Sequence, residues 1–191
     1  MTDITSDSVA ARRSSRSSAP QTPANGASRT GQEGIAPEEL AACVELLFFA
    51  YRDFTGGADT VLEEYGFGRA HHRVLHFVHR NPGLRVADLL DILKITKQSL
   101  ARVLKQLIDK GFIMQRAGND DRRERRLFVT TKGGRLAEKL SAQQKQYIEA
   151  ALGKAGPGAA EFARRFLFAM IAESDRPRVE ALVKLASGTR A

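Results

Sequence analysis

From residue 37 onward the chain is a succession of apolar stripes at helical spacing, punctuated by glycine and proline. Pro37 suits a first helical position, and the acids of "PEEL" fall in a first turn, where the helix dipole favours them. The apolar run that follows predicts a long first helix over 40–54. Gly56 and Gly57 are expected to bend or interrupt it before "ADTVLEEYG". A second helix is predicted over 69–80, stopping at Asn81-Pro82-Gly83, and a third over 86–93. A fourth starts at Thr96, a good N-cap, and runs to 110, with Gly111 as its stop. "FIMQR" and "RRLFVTT" have strand composition. They flank a charged stretch, which reads as the loop of a β-hairpin. Helices resume over 131–152, break at "GKAGPG", and continue over 159–173 and 178–186.

Before residue 35 the pattern is absent. The first 34 residues are rich in Ser, Ala, Pro and Gly, with almost nothing to bury, and are expected to form a disordered tail. Arg12, Arg13 and Arg16 could add loose attraction to a polyanion. Asp3 and Asp7 argue against an organelle transit peptide.

Composition narrows the function classes. No apolar run approaches the ~20 residues that cross a bilayer, and no apolar h-region follows the start, so a secretory signal is not expected. A cytoplasmic protein without a membrane partner is expected. The single cysteine, Cys43, excludes an internal disulfide framework. A net charge of +8 and a pI near 10 favour a polyanionic partner. There is no nucleophile elbow, phosphate-binding glycine loop, dinucleotide fingerprint or HExxH, so an enzyme is not expected, nor any cofactor.

Two short helices joined by "LKI" and followed by a two-stranded ribbon have the order of a winged helix-turn-helix. In such a motif the second helix keeps one face on the core and offers the other to DNA. On the helix from Thr96, residues Leu100, Val103, Leu104, Leu107 and Ile108 recur at helical spacing and point inward. Thr96, Lys97, Gln98, Ser99, Arg102 and Lys105 fall elsewhere, and they are residue types that hydrogen-bond base edges and phosphates. Residues 96–126 hold nine basic side chains against four acids, a net +5 of the chain's +8. A solvated amphipathic helix is the ordinary alternative, but the basic hairpin beside it weakens that reading.

The stretch "RVADLLDILKITKQSLARVLKQLIDKGFIMQRAGNDDRRERRLFVTTKG" resembles the DNA-binding core of the MarR family of bacterial regulators. The shared pattern is Asp121-Arg122-Arg123, the strand Leu127-Phe128-Val129-Thr130, and then Gly133. Val129 replaces a more usual leucine. Lys94 stands where the turn often has glycine, so either the turn carries some strain or it takes another shape. "GRAHHRVLHFVHR" is similar to the PetP/LdtR-like branch. The resemblance covers about residues 40–152. It implies a mainly α fold with a small β-hairpin wing, a winged helix-turn-helix flanked by dimerisation helices. It also implies that Arg123 enters a flanking minor groove, that Asp121 orients it, and that Arg122, Arg125 and Arg126 meet phosphates.

The expected division is a tail at 1–34, an N-terminal dimerisation helix region at 35–68, a DNA-binding lobe at 69–132 and C-terminal dimerisation helices at 133–191. Apolar stripes in "FARRFLFAMI" and "RVEALVKLA" exceed what a small winged domain buries, which supports a homodimer. The resemblance implies a regulator that binds a pseudo-palindromic duplex operator, a repressor released by a small aromatic or amphipathic effector. Tyr51, Phe54, His71 and Phe77 are candidates for the effector pocket, each with ordinary core packing as its alternative. His71 lies on the side of Val74, Leu75 and Val78, as a buried polar handle. His72, His76 and His79 share the opposite face at i, i+4 and i+7. Two of them could hold a zinc, yet no carboxylate or cysteine stands beside them, so a polar, partly exposed face is expected and no metal. Cys43 lies on an apolar helix without adjacent cations and is expected to be an inert, packed thiol. The alternative function is redox or metal sensing on the same fold, through Cys43 or the histidine face; a zinc-dependent enzyme ranks below that.

Overall fold

The computed structural model describes residues 34–118 and 124–187, side chains of 184–187 excepted. The expected tail, apart from residue 34, lies outside the described residues. Seven α-helices and three short strands follow one another. They are α1 (Pro37–Glu63), α2 (Arg69–Arg80), β1 (Leu84–Arg85), α3 (Val86–Leu93), α4 (Lys97–Asp109), β2 (Ile113–Ala117), β3 (Arg125–Val129), α5 (Thr131–Ala155), α6 (Ala159–Ala169) and α7 (Arg176–Ser187). A 3-10 turn, Glu173–Asp175, precedes α7. No described helix is long and apolar enough to cross a membrane.

The sheet is antiparallel in the order β1-β3-β2. The hairpin pairs Ile113 with Val129 at its base and Ala117 with Arg125 near its loop. β1 escaped sequence reading because two residues carry no periodicity. It pairs Leu84 with Leu127 and makes β3 the central strand. Leu127 is fully buried as a result.

One hydrophobic core joins these elements. Leu62 of α1, Leu75 of α2, Leu89 of α3, Leu107 of α4, Phe112 and Leu140 of α5 all lie in it with at most 1% exposure. Burying such a side chain contributes ~1.5–3 kcal/mol. The core therefore reaches into α1 and α5, beyond residues 69–132.

The first helix runs through Gly56 and Gly57 without a break. Each glycine costs ~1 kcal/mol against alanine in a helix. Tertiary burial outweighs that cost, because Thr55, Ala58, Val61 and Leu62 all dock on the core. Thr55 also donates its hydroxyl to the Tyr51 carbonyl at 2.9 Å. The sixth helix is shorter than expected, ending at Ala169 instead of 173. Arg176 donates to the carbonyls of Ala169 (3.0 Å) and Ile171 (3.1 Å), which satisfies acceptors left open at the helix end. Cys43 is exposed, not packed, because the first half of α1 is left uncovered by the other described residues.

The chain enters α5 through a tight junction. The Thr130 hydroxyl accepts the Gly133 N–H at 3.1 Å and donates to the Gly111 carbonyl at 2.7 Å. The Thr130 N–H donates to the Phe112 carbonyl at 3.0 Å. A Cβ on Gly133 would stand 2.0 Å from that same carbonyl oxygen. This is why glycine occupies the third place after Thr130.

The histidine face of α2 is partly exposed as expected at His76 and His79, and buried at His72. His72 is 9% exposed and His76 is mostly covered, beside Ser141, Gln144 and Lys145 of α5. Helical spacing marks a polar face but cannot name what packs on it. Burial, and then the positive neighbours Arg80, His72, His79 and Lys145, push the His76 pKa down to about 4. Burial also lowers that of His72, which Asp59 partly opposes. Among the described residues no group of three His, Cys, Asp or Glu side chains could hold a metal ion.

Two expectations follow. Gly133→Ala should lower stability by ~1–3 kcal/mol through overpacking on backbone. Gly56→Ala, where a Cβ meets nothing within 4 Å, should raise it by ~0.5–1 kcal/mol. Thermal unfolding of the two variants tests this, and equal melting temperatures would contradict the junction described above. Separately, His76 binds its proton only below its depressed folded pKa, whereas the unfolded chain protonates near pH 6.5. Stability is therefore complete above pH 6.5 and falls as pH drops toward 4. Denaturant titration should lose about 2 kcal/mol between pH 7 and pH 5 from this group. His76→Gln should flatten that fall, and an unchanged slope would reject the assignment.

Candidate nucleic-acid interface

The site begins with a turn. After α3 the backbone reverses at Lys94, whose φ of 50° and ψ of 43° place it in the left-handed region. It is the only non-glycine residue with positive φ among the described residues. Of the two outcomes left open by its side chain, the turn keeps its shape and carries strain. Thr96 then caps α4: its hydroxyl oxygen accepts the Ser99 N–H at 3.1 Å, and the hydroxyl donates to Ser99 Oγ at 2.9 Å. Both side chains thus shape the first turn, and Ser99 keeps its own hydroxyl proton to donate.

α4 divides as its pattern predicts. Leu100, Val103, Leu104 and Leu107 are buried, with Ile108 half-buried. Thr96, Lys97, Gln98, Ser99, Arg102 and Lys105 are all exposed. Lys105 pairs with Asp109 at 2.6 Å, which offsets part of its charge. Ion pairs among the described residues leave Lys97 and Arg102 uncommitted. Ala101 also lies exposed on this face and was missed from sequence, because a small apolar residue gives no polar signal.

The hairpin stands beside α4. Asp121, Arg122 and Arg123 lie outside the described residues. Arg125 is exposed. Arg126 pairs with Glu124 at 2.8 Å and is held on the strand, so it braces the hairpin rather than standing free. Arg116 lies over the Phe128 ring at 5.1 Å from its centroid. Between α4 and the hairpin is a concavity of about 840 Å³. Leu90, Leu100, Leu104 and Ile108 line it, together with the cations Arg85, Lys97, Lys105 and Arg125 and the acids Asp109 and Glu124. Asp109 pairs with Lys105 and Glu124 with Arg126, so the four lining cations leave the cleft net positive and chemically suited to an anion such as a phosphate. Arg85 was not anticipated either; its guanidinium grips Asp88 at 2.7 and 2.8 Å, which fixes the start of α3 and holds the Asp88 carboxyl below its usual pKa.

A second cleft opens among α1, α2 and α5. Tyr51, Phe54 and Phe77 meet there with Thr55, His72, His76 and Gln144, around about 230 Å³. A neighbouring hollow of about 550 Å³ adds Arg80, Ser141 and Lys145. His71 is not part of this cleft. Its ring stacks on Phe67 at 4.7 Å, and its Nδ1 accepts the Gly68 N–H at 3.1 Å. The proton is therefore on Nε2, which donates to Gln106 Oε1 at 2.6 Å. His71 thus ties α2 to α4. His72 and His76 take the place in the cleft expected of it.

Comparison with known proteins agrees with this geometry. The sequence pattern of the MarR family matches residues 65–124. The HTH-type transcriptional regulator PetP of Rhodobacter capsulatus is 44% identical over 148 residues, spanning 78% of this chain and 89% of PetP. The crystal structure of MarR superposes with a TM-score of 0.56 at 21% identity, over 78% of this chain and 98% of that one. The S. aureus MepR–DNA complex superposes with a TM-score of 0.53 at 19% identity, over 72% of this chain and 97% of MepR. These structures share the fold, a mainly α winged helix-turn-helix. PetP is a transcriptional regulator, which sets the chain among regulators rather than enzymes, and with such identity across most of both sequences this protein belongs to the MarR family.

Proposed function

We propose that this regulator binds duplex DNA as a homodimer, with α4 in the major groove and the hairpin as a wing on the flanking minor groove. The carrying observation is the exposed, polar and basic face of α4, with a cleft of net positive lining beside the hairpin. MepR, of the same fold, has been crystallised with DNA. Gln98 and Arg102 would read base edges, Ala101 would meet a thymine methyl, and Lys97, Lys105 and Arg125 would hold phosphates, with Thr96 and Ser99 at the helix end. Arg122, Arg123 and Asp121 keep their expected roles: phosphate contact, minor-groove insertion and orientation of the arginine.

Dimerisation rests on the apolar surface the chain leaves open. Leu46 is 65% exposed, Phe48 70% and Phe162 65%, on α1 and α6. Large apolar side chains left exposed in such number on these helices mark an interaction surface. We place the pairing elements in 35–68 and 133–191, around a DNA-binding lobe at 69–132. A two-fold dimer then reads a pseudo-palindrome with half-sites about 10 bp apart. The aromatic cleft of Tyr51, Phe54 and Phe77, with Arg80 and Lys145 nearby, suits a small aromatic or amphipathic effector with an acidic end. It borders the elements that link the two lobes, so a bound molecule would alter their spacing and release DNA; where the operator overlaps a promoter, this is repression relieved by the effector.

Selection of bound genomic fragments, followed by binding curves, tests the reading. Gln98→Ala or Arg102→Ala should cost ~1–3 kcal/mol on the best site and relax preference at particular base pairs. Arg123→Ala should weaken binding and erase preference for A·T-rich flanks, leaving the central preferences intact. If Arg123→Ala altered the central preferences and the α4 variants altered nothing, the two elements would be reversed. Sedimentation should show a dimer for the native chain and a shift toward monomer for Phe48→Glu. A native monomer at micromolar concentration would reject the interface.

A further inference from the structure

The turn that presents α4 is strained, and something must hold it. A left-handed backbone costs a side-chain-bearing residue ~1–2 kcal/mol, and glycine would remove that cost. The Lys94 ammonium instead reaches Asp175 of the 3-10 turn before α7, at 3.0 Å. Three residues on, Arg178 of α7 donates to the Asp88 carbonyl at 3.2 Å and to the Asp91 carboxylate at 3.3 Å. Asp88 and Asp91 are on α3, just ahead of the turn. Between these two contacts Arg176 binds the carbonyls of Ala169 and Ile171, fixing the same short segment to the end of α6. Residues 175–178 therefore connect the C-terminal helices to α3 and to the strained turn.

We infer that this segment is a clasp that sets the position of α4 for DNA, with Asp175, Arg178, Asp91 and Lys94 as positioning residues. This rests on the reading of α4 as the recognition element. The clasp is not a device for stability. Each ion pair joins a half-buried side chain to an exposed one, Asp175 (32%) to Lys94 (63%) and Arg178 (35%) to Asp91 (65%), and pairs so open to water contribute little. What it supplies is geometry. It gives the C-terminal helices a direct hold on the turn, so a shift in one is felt in the other. It also gives a reason for a lysine at a position whose backbone suits glycine.

Electrostatics alone and the clasp predict opposite signs. Removing an acid beside a DNA-facing helix should tighten binding to a polyanion. If Asp175 and Asp91 act by positioning, removing either should weaken it. The experiment uses the full-length chain and its selected operator, with Kd read by fluorescence anisotropy and unfolding by calorimetry. Asp175→Asn and Asp91→Asn should each raise Kd about 3- to 10-fold. The salt slope should not change, because no phosphate contact is lost. Lys94→Gly should weaken binding similarly while melting no lower than the native chain. Arg178→Glu should weaken binding, and Asp91→Arg in the same chain should restore part of the loss. In the free protein, amides 93–96 should exchange faster in Asp175→Asn. Equal or tighter binding by the two Asn variants would overturn the clasp. Arg102→Ala is the control: if it leaves Kd unchanged, the recognition-helix reading fails and the clasp's role in DNA binding fails with it.

Discussion

The carbonyl of Phe112 is the point through which the winged lobe holds together. It lies where α4 has ended and β2 begins, and it accepts the N–H of Thr130, where β3 ends and α5 begins. Its oxygen also fills the space that a side chain at 133 would need. The Phe112 ring is 1% exposed, packed edge-on against Phe67 and Tyr65. Helix, hairpin and α5 thus converge on one residue. The angle between α4 and the hairpin, and so the width of the cleft between them, depends on it.

Charge follows from that frame. Cations that pair with a nearby acid serve the fold: Arg85 with Asp88, Arg126 with Glu124, Arg69 with Asp59. Lys97 and Arg102 pair with nothing among the described residues, and both sit on the outer face of α4. Unpaired cations on one rigid face cost little in water. They become favourable when phosphates replace that water and counterions are released. The acids in the charged stretch are consistent with this division, since Glu124 holds an arginine in place.

The two lobes are not independent bodies. Leu62 of α1 and Leu140 of α5 are buried in the same core as α4's inner face. His71 bridges α2 to Gln106 of α4, while its neighbours His72 and His76 turn toward α1 and α5. One helix therefore touches α4 on one side and the aromatic cleft on the other. A molecule in that cleft would press on α2, and α2 is hydrogen-bonded to α4. The path from cleft to α4 is therefore short, one helix and one hydrogen bond.

Local rules settled the parts of the structure that local physics controls. α2 and α3 have the bounds their periodicity indicates, Thr96 caps the helix that follows it, and glycine marks the end of α4. The division of α4 into an inner and an outer face was legible too, because 3.6-residue spacing is a property of the chain alone. What the sequence could not decide depended on neighbours far along it. Gly56 and Gly57 stay helical because distant residues bury the turns on either side. The histidine face is partly covered because α5 lies on it, and His71 leaves the cleft because Gln106, 35 residues on, accepts its proton. Lys94 takes a left-handed turn because α3 and α4 must cross there. In each case the local preference is worth about 1 kcal/mol and tertiary packing outweighs it, which is why only the folded structure could show the result.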